Sequence, residues 1–247
     1  MNFLEKTKLK FLRNRFLRHA LLVCFRPLRK LILHQYPYNY SPRQLVTLIN
    51  LLDKALSHCP NGAVLEVGCF SGHTTTFLSR HLYTCSYSGY HYAYDTFKGF
   101  TDSDVKTEIN AGRLSSRNEF DFSFTTNNQR WVQWTIDQNK KMAKVHLVKT
   151  DAAVHQFEEI EGPLAFVLID VDVYQPTLNS LNRLWPKLSP GGFIVIDDCL
   201  LSEDGAPITD RKFCGGHQAL LEWAKKEEVL PKYTDGKLAI INKPFSD

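Results

Sequence analysis

The stretch VLIDVDVYQPTL, residues 167–178, places two aspartates, Asp170 and Asp172, directly after a run of apolar residues. The run is typical of a buried strand, and an acid is disfavoured both in strands and in protein cores. Two carboxylates this close together repel each other unless a cation lies between them or one of them holds a proton. The pair therefore indicates either a functional site at the end of a strand or an ordinary solvated turn.

Apolar strands that alternate with helices recur along the whole chain. Strands are predicted at residues 63–67, 90–94, 145–148, 164–169, 193–196, 229–233 and 238–242, and helices at 41–57, from 73 onward, and at 131–142, 176–188 and 217–226. Such alternation predicts an α/β protein with βαβ units and a mostly parallel sheet. Residues 189–192, SPGG, are predicted to form a turn, residues 96–130 an irregular polar segment, and Asp235-Gly236 a hairpin between the last two strands.

Acidic residues follow the predicted strands at their carboxyl ends. In parallel sheets these ends share one edge, which is where such folds bind their ligands. The acids at this edge are Glu66, Asp95, Asp151, Asp170, Asp172, Asp197 and Asp198. Their common position favours a functional site over a solvated turn.

The segment LEVGCFSG, residues 65–72, has two glycines, Gly68 and Gly72, between a strand and a helix. Glycines at such a place allow a tight turn and a close approach of the backbone to a ligand. The dinucleotide fingerprint has a glycine where this chain has Phe70, and the acid Glu66 would repel a phosphate, so a nicotinamide dehydrogenase is disfavoured. An acid at the end of the next strand, Asp95, is where such folds hold ribose hydroxyls.

Four segments together resemble one family of enzymes. LEVGCFSG resembles motif I of class I S-adenosylmethionine-dependent methyltransferases, and residues 93–100 (AYDTFKGF), 168–199 and 213–220 (FCGGHQAL) resemble the macrocin O-methyltransferase (TylF-type) family. The resemblance covers roughly residues 40–242. It implies the Rossmann-like, seven-stranded sheet with an antiparallel last strand, S-adenosylmethionine, a divalent metal that is usually Mg²⁺, and methyl transfer to a hydroxyl, often on a sugar. The implied cofactor-binding residues are Glu66, Gly68, Phe70, Ser71, Gly72, Asp95, Thr96 and Asp151.

The chemistry of the acids agrees with this resemblance. A hydroxyl becomes a better nucleophile when a metal lowers its pKa and a carboxylate accepts its proton. Asp170, Asp197 and Asp198 are predicted to offer oxygen ligands to the metal. Asp172 is predicted to be the base, because Asp170 and Asp172 share a side if the extended strand continues. In the alternative interpretations Asp172 is structural, Asp197-Asp198 is a strand-end turn, and Glu66 is an ordinary buried acid.

The first 35 residues differ from the rest in charge. Residues 1–34 hold nine of the 30 Lys and Arg residues and one of the 26 acids, so the remainder carries 21 basic and 25 acidic residues. No basic stripe remains to bind nucleic acid. Residues 1–35 are predicted to be a basic amphipathic arm that docks on the domain or on a second subunit, or that lies on an anionic membrane.

Residues 36–247 are predicted to form the methyltransferase domain. Residues 101–135 are predicted to be a lid whose aromatic side chains contact the acceptor or, alternatively, a packed surface loop that those aromatics anchor. Six cysteines without a C-x-x-C pair indicate reduced thiols and a cytoplasmic protein. The expected partner is a small molecule with a hydroxyl group, such as a sugar or glycoside. Two alternatives are a catechol or phenol O-methyltransferase and a non-catalytic module that binds S-adenosylmethionine.

Overall fold

The computed structural model describes residues 39–120, 124–125, 127–139 and 141–245. The helices are α1 (Pro42–His58), α2 (His73–Thr84), α3 (Asp102–Asn110), α4 (Gln129–Asp137), α5 (Tyr174–Leu184) and α6 (Gly215–Lys226), with a 3₁₀ turn at Arg117–Glu119. The strands are β1 (Ala63–Val67), β2 (His91–Asp95), β3 (Val145–Lys149), β4 (Leu164–Ile169), β5 (Leu188–Ile196), β6 (Lys232–Thr234) and β7 (Leu238–Asn242).

The seven strands form one sheet in the order β3-β2-β1-β4-β5-β7-β6. Strands β1 to β5 pair in parallel, whereas β7 is antiparallel to both β5 and β6. The predicted α/β class, the mostly parallel sheet and the antiparallel last strand are therefore confirmed. The strand order reverses beside β1, because the chain crosses from β3 to β4 on the opposite side of β1, and such a reversal opens a crevice at the carboxyl ends of β1 and β4.

The central strands are buried on both faces, as continuous apolar runs predict. Leu65 and Val67 of β1 belong to a core cluster that includes residues of α5 and α6. Val64 belongs to a second cluster that includes residues of α1 and α2. Side chains alternate across a strand, so Glu66 lies on the same face as Val64, toward α2.

Helix α1 begins where the sequence indicates. Ser41 is the N-cap and accepts a hydrogen bond from the backbone of Gln44, whose side chain accepts one from the backbone of Ser41. This capping box, with Pro42 in the first turn, fixes the direction in which the chain enters the helix. Tyr40, just before the cap, is consequently held at the sheet edge that carries the acids.

Several predicted elements are shifted, since the predicted helices 131–142 and 176–188 end at Asp137 and Leu184 and the predicted strand 229–233 is Lys232–Thr234, and two local predictions differ from the structure in kind. Residues 96–130 are not irregular throughout, because Thr101 caps helix α3 with its side chain. Residues 189–192 lie inside β5 rather than in a turn, where Gly191 has a φ of 77° and bonds to Lys243 beyond the end of β7. A β-bulge thus replaces the predicted turn, since glycine tolerates this backbone conformation within a strand.

The predicted basic arm, residues 1–35, lies outside the described residues, and the prediction for it stays untested. Within the described part of the chain, each helix is too short or too polar to cross a lipid bilayer.

Candidate active site

The loop after β1 packs directly against the end of β4. Gly68 has a φ of 96°, and a Cβ atom on it would lie 1.8 Å from the carbonyl oxygen of Asp170. The backbone of Asp170 in turn donates to the carbonyl of Val67 at 2.8 Å. Only glycine allows both this φ value and this approach, so Gly68 brings the glycine loop and the first aspartate together.

Asp95, at the end of β2, holds the glycine loop from the other side. Its carboxylate accepts hydrogen bonds from the backbone N–H groups of Phe70 at 2.8 Å and Phe97 at 2.6 Å. Burial raises the pKa of Asp95 to about 6, although the two hydrogen bonds oppose this shift. Asp95 therefore fixes the loop, and each of its oxygens keeps a lone pair for a ligand hydroxyl.

A cleft of about 610 Å³, including its open mouth, lies over this edge of the sheet. The structure brings seven of the predicted site residues to its lining: Gly68, Phe70, Asp95, Thr96, Asp151, Asp170 and Asp172. The other predicted site residues, which do not line this cleft, are Glu66, Ser71, Gly72, Asp197 and Asp198.

Glu66 faces away from the cleft. It is 2% exposed and accepts a hydrogen bond from the hydroxyl of Thr75 in α2. Burial raises the pKa of Glu66 to about 8, so its carboxyl carries a proton at neutral pH. This geometry matches the alternative in which Glu66 is an ordinary buried acid.

Four carboxylates meet at the ends of β4 and β5, and we call them the acid cluster: Asp170, Asp172, Asp197 and Asp198. Asp170 accepts hydrogen bonds from the hydroxyl of Tyr40 at 2.9 Å and from Asn39 Nδ2 at 3.5 Å. Lys237 Nζ lies 2.5 Å from Asp197 Oδ2 and 3.3 Å from Asp198 Oδ1. Among the described contacts, Lys237 thus supplies the one ammonium group in a cluster of four carboxyl groups.

Burial and the repulsion of neighbouring carboxylates raise the pKa values of Asp170, Asp172 and Asp197. The pKa of Asp172 lies well above its usual value because of burial and the charges of Asp170 and Asp198. The same causes, burial first, raise the pKa of Asp170 and raise that of Asp197 strongly. The carboxylates also raise the pKa of Lys237, although its burial opposes this shift. The site thus holds protons or cations readily.

Asp172 reaches the acid cluster by a different path from the one predicted. Strand β4 ends at Ile169, and Asp172 has a φ of 62°, so the extended alternation does not continue to it. Asp198 also has a left-handed backbone (φ 55°), and its carboxyl contributes to the raised pKa of Asp172. Such conformations are strained for aspartate and are frequent at functional sites.

The acid cluster has the donor chemistry of a site for a hard cation. All of its donors are oxygens, which Mg²⁺ prefers. Asp197 is 4% exposed, and its Oδ1 is buried without a hydrogen-bond partner among the described residues. A buried, unsatisfied carboxylate oxygen is costly, and a cation would satisfy it. The residues present therefore fit the metal that the family implies.

The carboxylate oxygens of the acid cluster do not converge on a single point in the structure. Among the described residues, one set of three possible metal-binding side chains has its ligand atoms within 4.8 Å of one another. It consists of Asp53 on α1 with His81 and Cys85 at the end of α2. His81 Nε2 already lies 2.5 Å from Asp53 Oδ1 there, within hydrogen-bond distance. In the acid cluster, by contrast, Lys237 lies between the carboxylates.

Sequence reasoning missed two contributors to the acid cluster. Tyr40 directly precedes Ser41, and this helix cap is the only local signal for its position. Lys237 precedes β7 and is placed by the pairing of β7 with β5, where its carbonyl accepts from the backbone of Cys199 at 2.8 Å. Nothing in the sequence around Lys237 indicates this position.

Aromatic side chains form a wall at the mouth of the cleft. Phe100 stacks on Phe120 at 4.1 Å between ring centroids, and Phe124 lies 5.1 Å from Phe100 and 5.3 Å from Phe70. Phe70, Phe100 and Phe124 all line the cleft. The predicted lid segment thus contributes apolar surface beside the predicted cofactor site.

An acid from the predicted lid segment, Asp104, also faces the cleft. Asp104 in α3 is 4% exposed and lines the cleft, and its Oδ1 has no hydrogen-bond partner among the described residues. Its other oxygen accepts from the hydroxyl of Thr101 at 2.7 Å. Sequence analysis missed Asp104, because it lies in a segment predicted to be irregular.

Comparison with known proteins places the chain in a family. Residues 65–199, more than half of the chain, match the family model described as "Methyltransferase domain". The matched segment includes the glycine loop, Asp95 and the whole acid cluster. The chain therefore belongs to the methyltransferase family, and the resemblance to class I S-adenosylmethionine-dependent methyltransferases of the macrocin type is confirmed.

Two curated relatives match parts of the chain. Mycinamicin III 3''-O-methyltransferase of Micromonospora griseorubida is 26% identical over 162 residues, which are 63% of this chain and 62% of the relative. The 8-demethyl-8-(2,3-dimethoxy-alpha-L-rhamnosyl)-tetracenomycin-C 4'-O-methyltransferase of Streptomyces olivaceus is 51% identical over 37 residues, 15% of this chain and 14% of the relative. The chain thus spans less than two thirds of either relative's length. The solved structure of the O-methyltransferase NovP has the same fold, with a TM-score of 0.67 and 17% identity, over 82% of this chain and 80% of that one.

Proposed function

We propose that this member of the methyltransferase family transfers a methyl group from S-adenosylmethionine to a hydroxyl of a sugar or glycoside. The observation that carries the proposal is the position of Asp172, which lines the same cleft as Gly68 and Asp95 and belongs to the acid cluster. A cofactor cleft and a buried carboxyl with a raised pKa are the two parts that such a transfer needs. Both curated relatives have names that describe O-methyltransferases of glycosylated natural products.

In the proposed reaction, the residues of the cofactor site act by positioning S-adenosylmethionine. The backbone of the glycine loop, Asp95, Thr96 and Asp151 would hold the nucleoside, and Phe70 would cover it. The acceptor oxygen then attacks the methyl carbon, the carbon–sulfur bond breaks, and the sulfonium becomes a neutral thioether. An in-line displacement of this kind gains most from a fixed distance and angle between the reacting atoms.

The acid half supplies the proton acceptor. The hydroxyl proton passes to the carboxylate of Asp172, so this carboxyl must be ionised when the acceptor binds. A raised pKa makes the ionised form a stronger base, and it also means that fewer molecules carry that form at low pH. We therefore expect the rate of transfer to rise with pH as Asp172 loses its proton.

A divalent cation, Mg²⁺ or a similar ion, completes the proposal. Asp170, Asp197 and Asp198 would hold it, and the unsatisfied Oδ1 of Asp197 supports this assignment. A bound ion of this kind lowers the pKa of a hydroxyl that it contacts. It would also favour the ionised form of Asp172 through its charge.

The proposed domain organisation follows the sequence. Residues 36–247 form the catalytic domain, and residues 101–135 act as a lid whose phenylalanines contact the acceptor. The aromatic wall at the cleft mouth supports this role. We further propose a cytoplasmic enzyme, with residues 1–35 as a docking arm for a second subunit or for an anionic membrane.

Binding and transfer test the proposal in sequence. Calorimetry with S-adenosylhomocysteine should give saturable one-to-one binding to the purified protein. Transfer of a labelled methyl group from S-adenosylmethionine should then occur to glycosides or nucleotide sugars when MgCl₂ is present, and less so in EDTA. Failure of a folded protein to bind S-adenosylhomocysteine at millimolar concentration would overturn the proposal.

The aromatic wall supports a second candidate acceptor. Phe70, Phe100 and Phe124 present flat apolar surface that a phenol ring would also fill. A catechol could present its two hydroxyls to the acid cluster in the way that a vicinal sugar diol does. The same labelled assay with a catechol panel separates the two classes, and binding without transfer to either class would favour a non-catalytic module.

A further inference from the structure

Lys237 holds a place in the acid cluster that a divalent cation would also need. Its ammonium group bridges Asp197 Oδ2 at 2.5 Å and Asp198 Oδ1 at 3.3 Å. The Lys237 side chain is 17% exposed, and its Nζ lies 5.0 Å from the ring centroid of Tyr40, whose hydroxyl donates to Asp170. Lys237 thus contacts two of the three proposed metal ligands directly and approaches the third through Tyr40.

The ammonium group and the metal have the same requirement. Both are cations that bind carboxylate oxygens. At 2.5 Å from Lys237 Nζ, Asp197 Oδ2 accepts a charge-assisted hydrogen bond from the lysine. Two cations in one small cluster would repel each other strongly at low solvent exposure. Lys237 and a divalent ion are therefore alternatives at Asp197 and Asp198 rather than neighbours.

The position of Lys237 is held by the fold. The residue precedes β7, and its backbone carbonyl accepts from Cys199 at 2.8 Å, directly after the two aspartates. The pairing of β7 with β5 continues to Ala239 and Ile196, one residue before Asp197. The start of the side chain is fixed beside the ligands, whereas its four-carbon stem can swing the ammonium group toward solvent.

We propose that Lys237 is a built-in competitor of the metal, which occupies Asp197 and Asp198 in the empty enzyme and must withdraw when a divalent ion binds. This inference rests on the proposed metal site. Lys237 partly balances the charge of four carboxyls while the metal is absent, and it lowers the affinity of the site for the ion. The site is then filled only at ion concentrations higher than the same cluster without the lysine would need.

The test removes the ammonium group and keeps the apolar stem. Binding of MnCl₂ and MgCl₂ is measured by calorimetry on wild type and on Lys237→Met, without cofactor or acceptor. We expect the variant to bind Mn²⁺ at least ten times more tightly than wild type. Lys243→Met is the matched control, because Lys243 Nζ lies over the ring of Trp185 at 4.2 Å, and its affinity for Mn²⁺ should equal that of wild type.

Thermal unfolding provides a second readout. In EDTA, Lys237→Met should unfold at a lower temperature than wild type, because its acid cluster has lost its cation. Excess MnCl₂ should raise the unfolding temperature of Lys237→Met more than that of wild type. Should the methionine variant not fold, Lys237→Gln replaces it, and Lys237→Arg, which keeps the charge, should bind Mn²⁺ as weakly as wild type.

Two outcomes would overturn the inference. Unchanged or weaker Mn²⁺ binding by Lys237→Met would make Lys237 a structural residue or a helper of the metal. Absence of Mn²⁺ and Mg²⁺ binding in both proteins would remove the metal site itself. S-adenosylhomocysteine binding, measured on the same samples, tells this second failure apart from failure of the methyltransferase proposal, because it should persist in both proteins.

Discussion

The two halves of the candidate active site, the glycine loop with its neighbours and the acid cluster, satisfy their carboxyl groups in opposite ways. In the glycine-loop half, Glu66 bonds to the hydroxyl of Thr75 and Asp95 bonds to the backbone of Phe70 and Phe97, all within 25 residues in sequence. In the acid cluster, Asp170 accepts from Tyr40, 130 residues away, and the cation that contacts Asp197, Lys237, follows it by 40 residues. The first half is complete without a ligand, whereas the second retains an unsatisfied oxygen and excess negative charge.

This contrast indicates a division of labour. Carboxyl groups that are hydrogen-bonded within the protein hold the loop in a fixed conformation, and a cofactor site requires such a fixed conformation. Groups that are crowded and unsatisfied have shifted pKa values and bind protons or cations, which is what a site for proton transfer requires. Substitutions in the glycine-loop half should therefore affect stability and cofactor affinity, and those in the acid cluster should affect turnover.

The largest expected effect is that of Asp172→Asn, which removes the proposed base and keeps the shape of the side chain. The rate of methyl transfer should fall by roughly 10² to 10⁴, the usual contribution of a general base. Affinity for S-adenosylhomocysteine, measured by calorimetry, should stay within about threefold of wild type because the glycine-loop half is untouched. A variant that keeps wild-type turnover would remove Asp172 from the mechanism.

The next largest effect is that of Gly68→Ala, because Gly68 is the residue at which the glycine loop packs against the end of β4. The new Cβ would meet the carbonyl oxygen of Asp170 at 1.8 Å, so the loop must shift away from β4. We expect a loss of about 3 kcal/mol in the free energy of unfolding, from the clash and the φ value together. Urea denaturation measures this loss.

Gly112→Ala is the matched control for Gly68→Ala. Gly112 has a φ of 74°, but nothing lies within 4 Å of a Cβ there. It should lose only about 1 kcal/mol, the strain of a left-handed alanine. Equal losses for the two variants would contradict the close packing of the loop on β4.

Glu66 allows a pH test of the glycine-loop half. Its pKa rises from 4.5 unfolded to about 8 folded, so the folded protein binds one more proton than the unfolded chain between these values. The free energy of unfolding should thus fall as the pH rises from 5 to 8, by at most about 5 kcal/mol. Glu66→Gln, which is neutral throughout, should flatten this part of the curve of unfolding free energy against pH. An unchanged slope in the variant would show that Glu66 is ionised in the folded state.

The smallest effect concerns Asp104, which tests whether the predicted lid segment contributes to the cofactor site. If its unsatisfied Oδ1 accepts a hydrogen bond from the bound nucleoside, Asp104→Asn should weaken S-adenosylhomocysteine binding about tenfold or less. Asp102→Asn is the control, because its side chain is 83% exposed in the same helix. Equal calorimetric affinities for the two variants would assign Asp104 a structural role.

Much of the fold could be predicted because its determinants are local. The apolar runs of β1 and β4 have the predicted bounds, since continuous burial in a parallel sheet leaves a strong pattern. Local patterns misled where the backbone departs from regular geometry. The SPGG segment has the composition of a turn but forms a bulge in β5, and Thr101 caps a helix inside a polar segment.

The candidate site divides along the same line. The strand pattern alone indicates which acids lie at the carboxyl edge of the sheet, because that depends only on the parallel direction of the strands and on the residues at the end of each strand. Tertiary structure decided how those acids are satisfied. Glu66 turns toward Thr75 by strand alternation, Asp172 approaches Asp198 through a left-handed backbone, and the β5–β7 pairing brings in Lys237. Charge balance at a buried site depends on distances between segments remote in sequence, and only the packed chain fixes those distances.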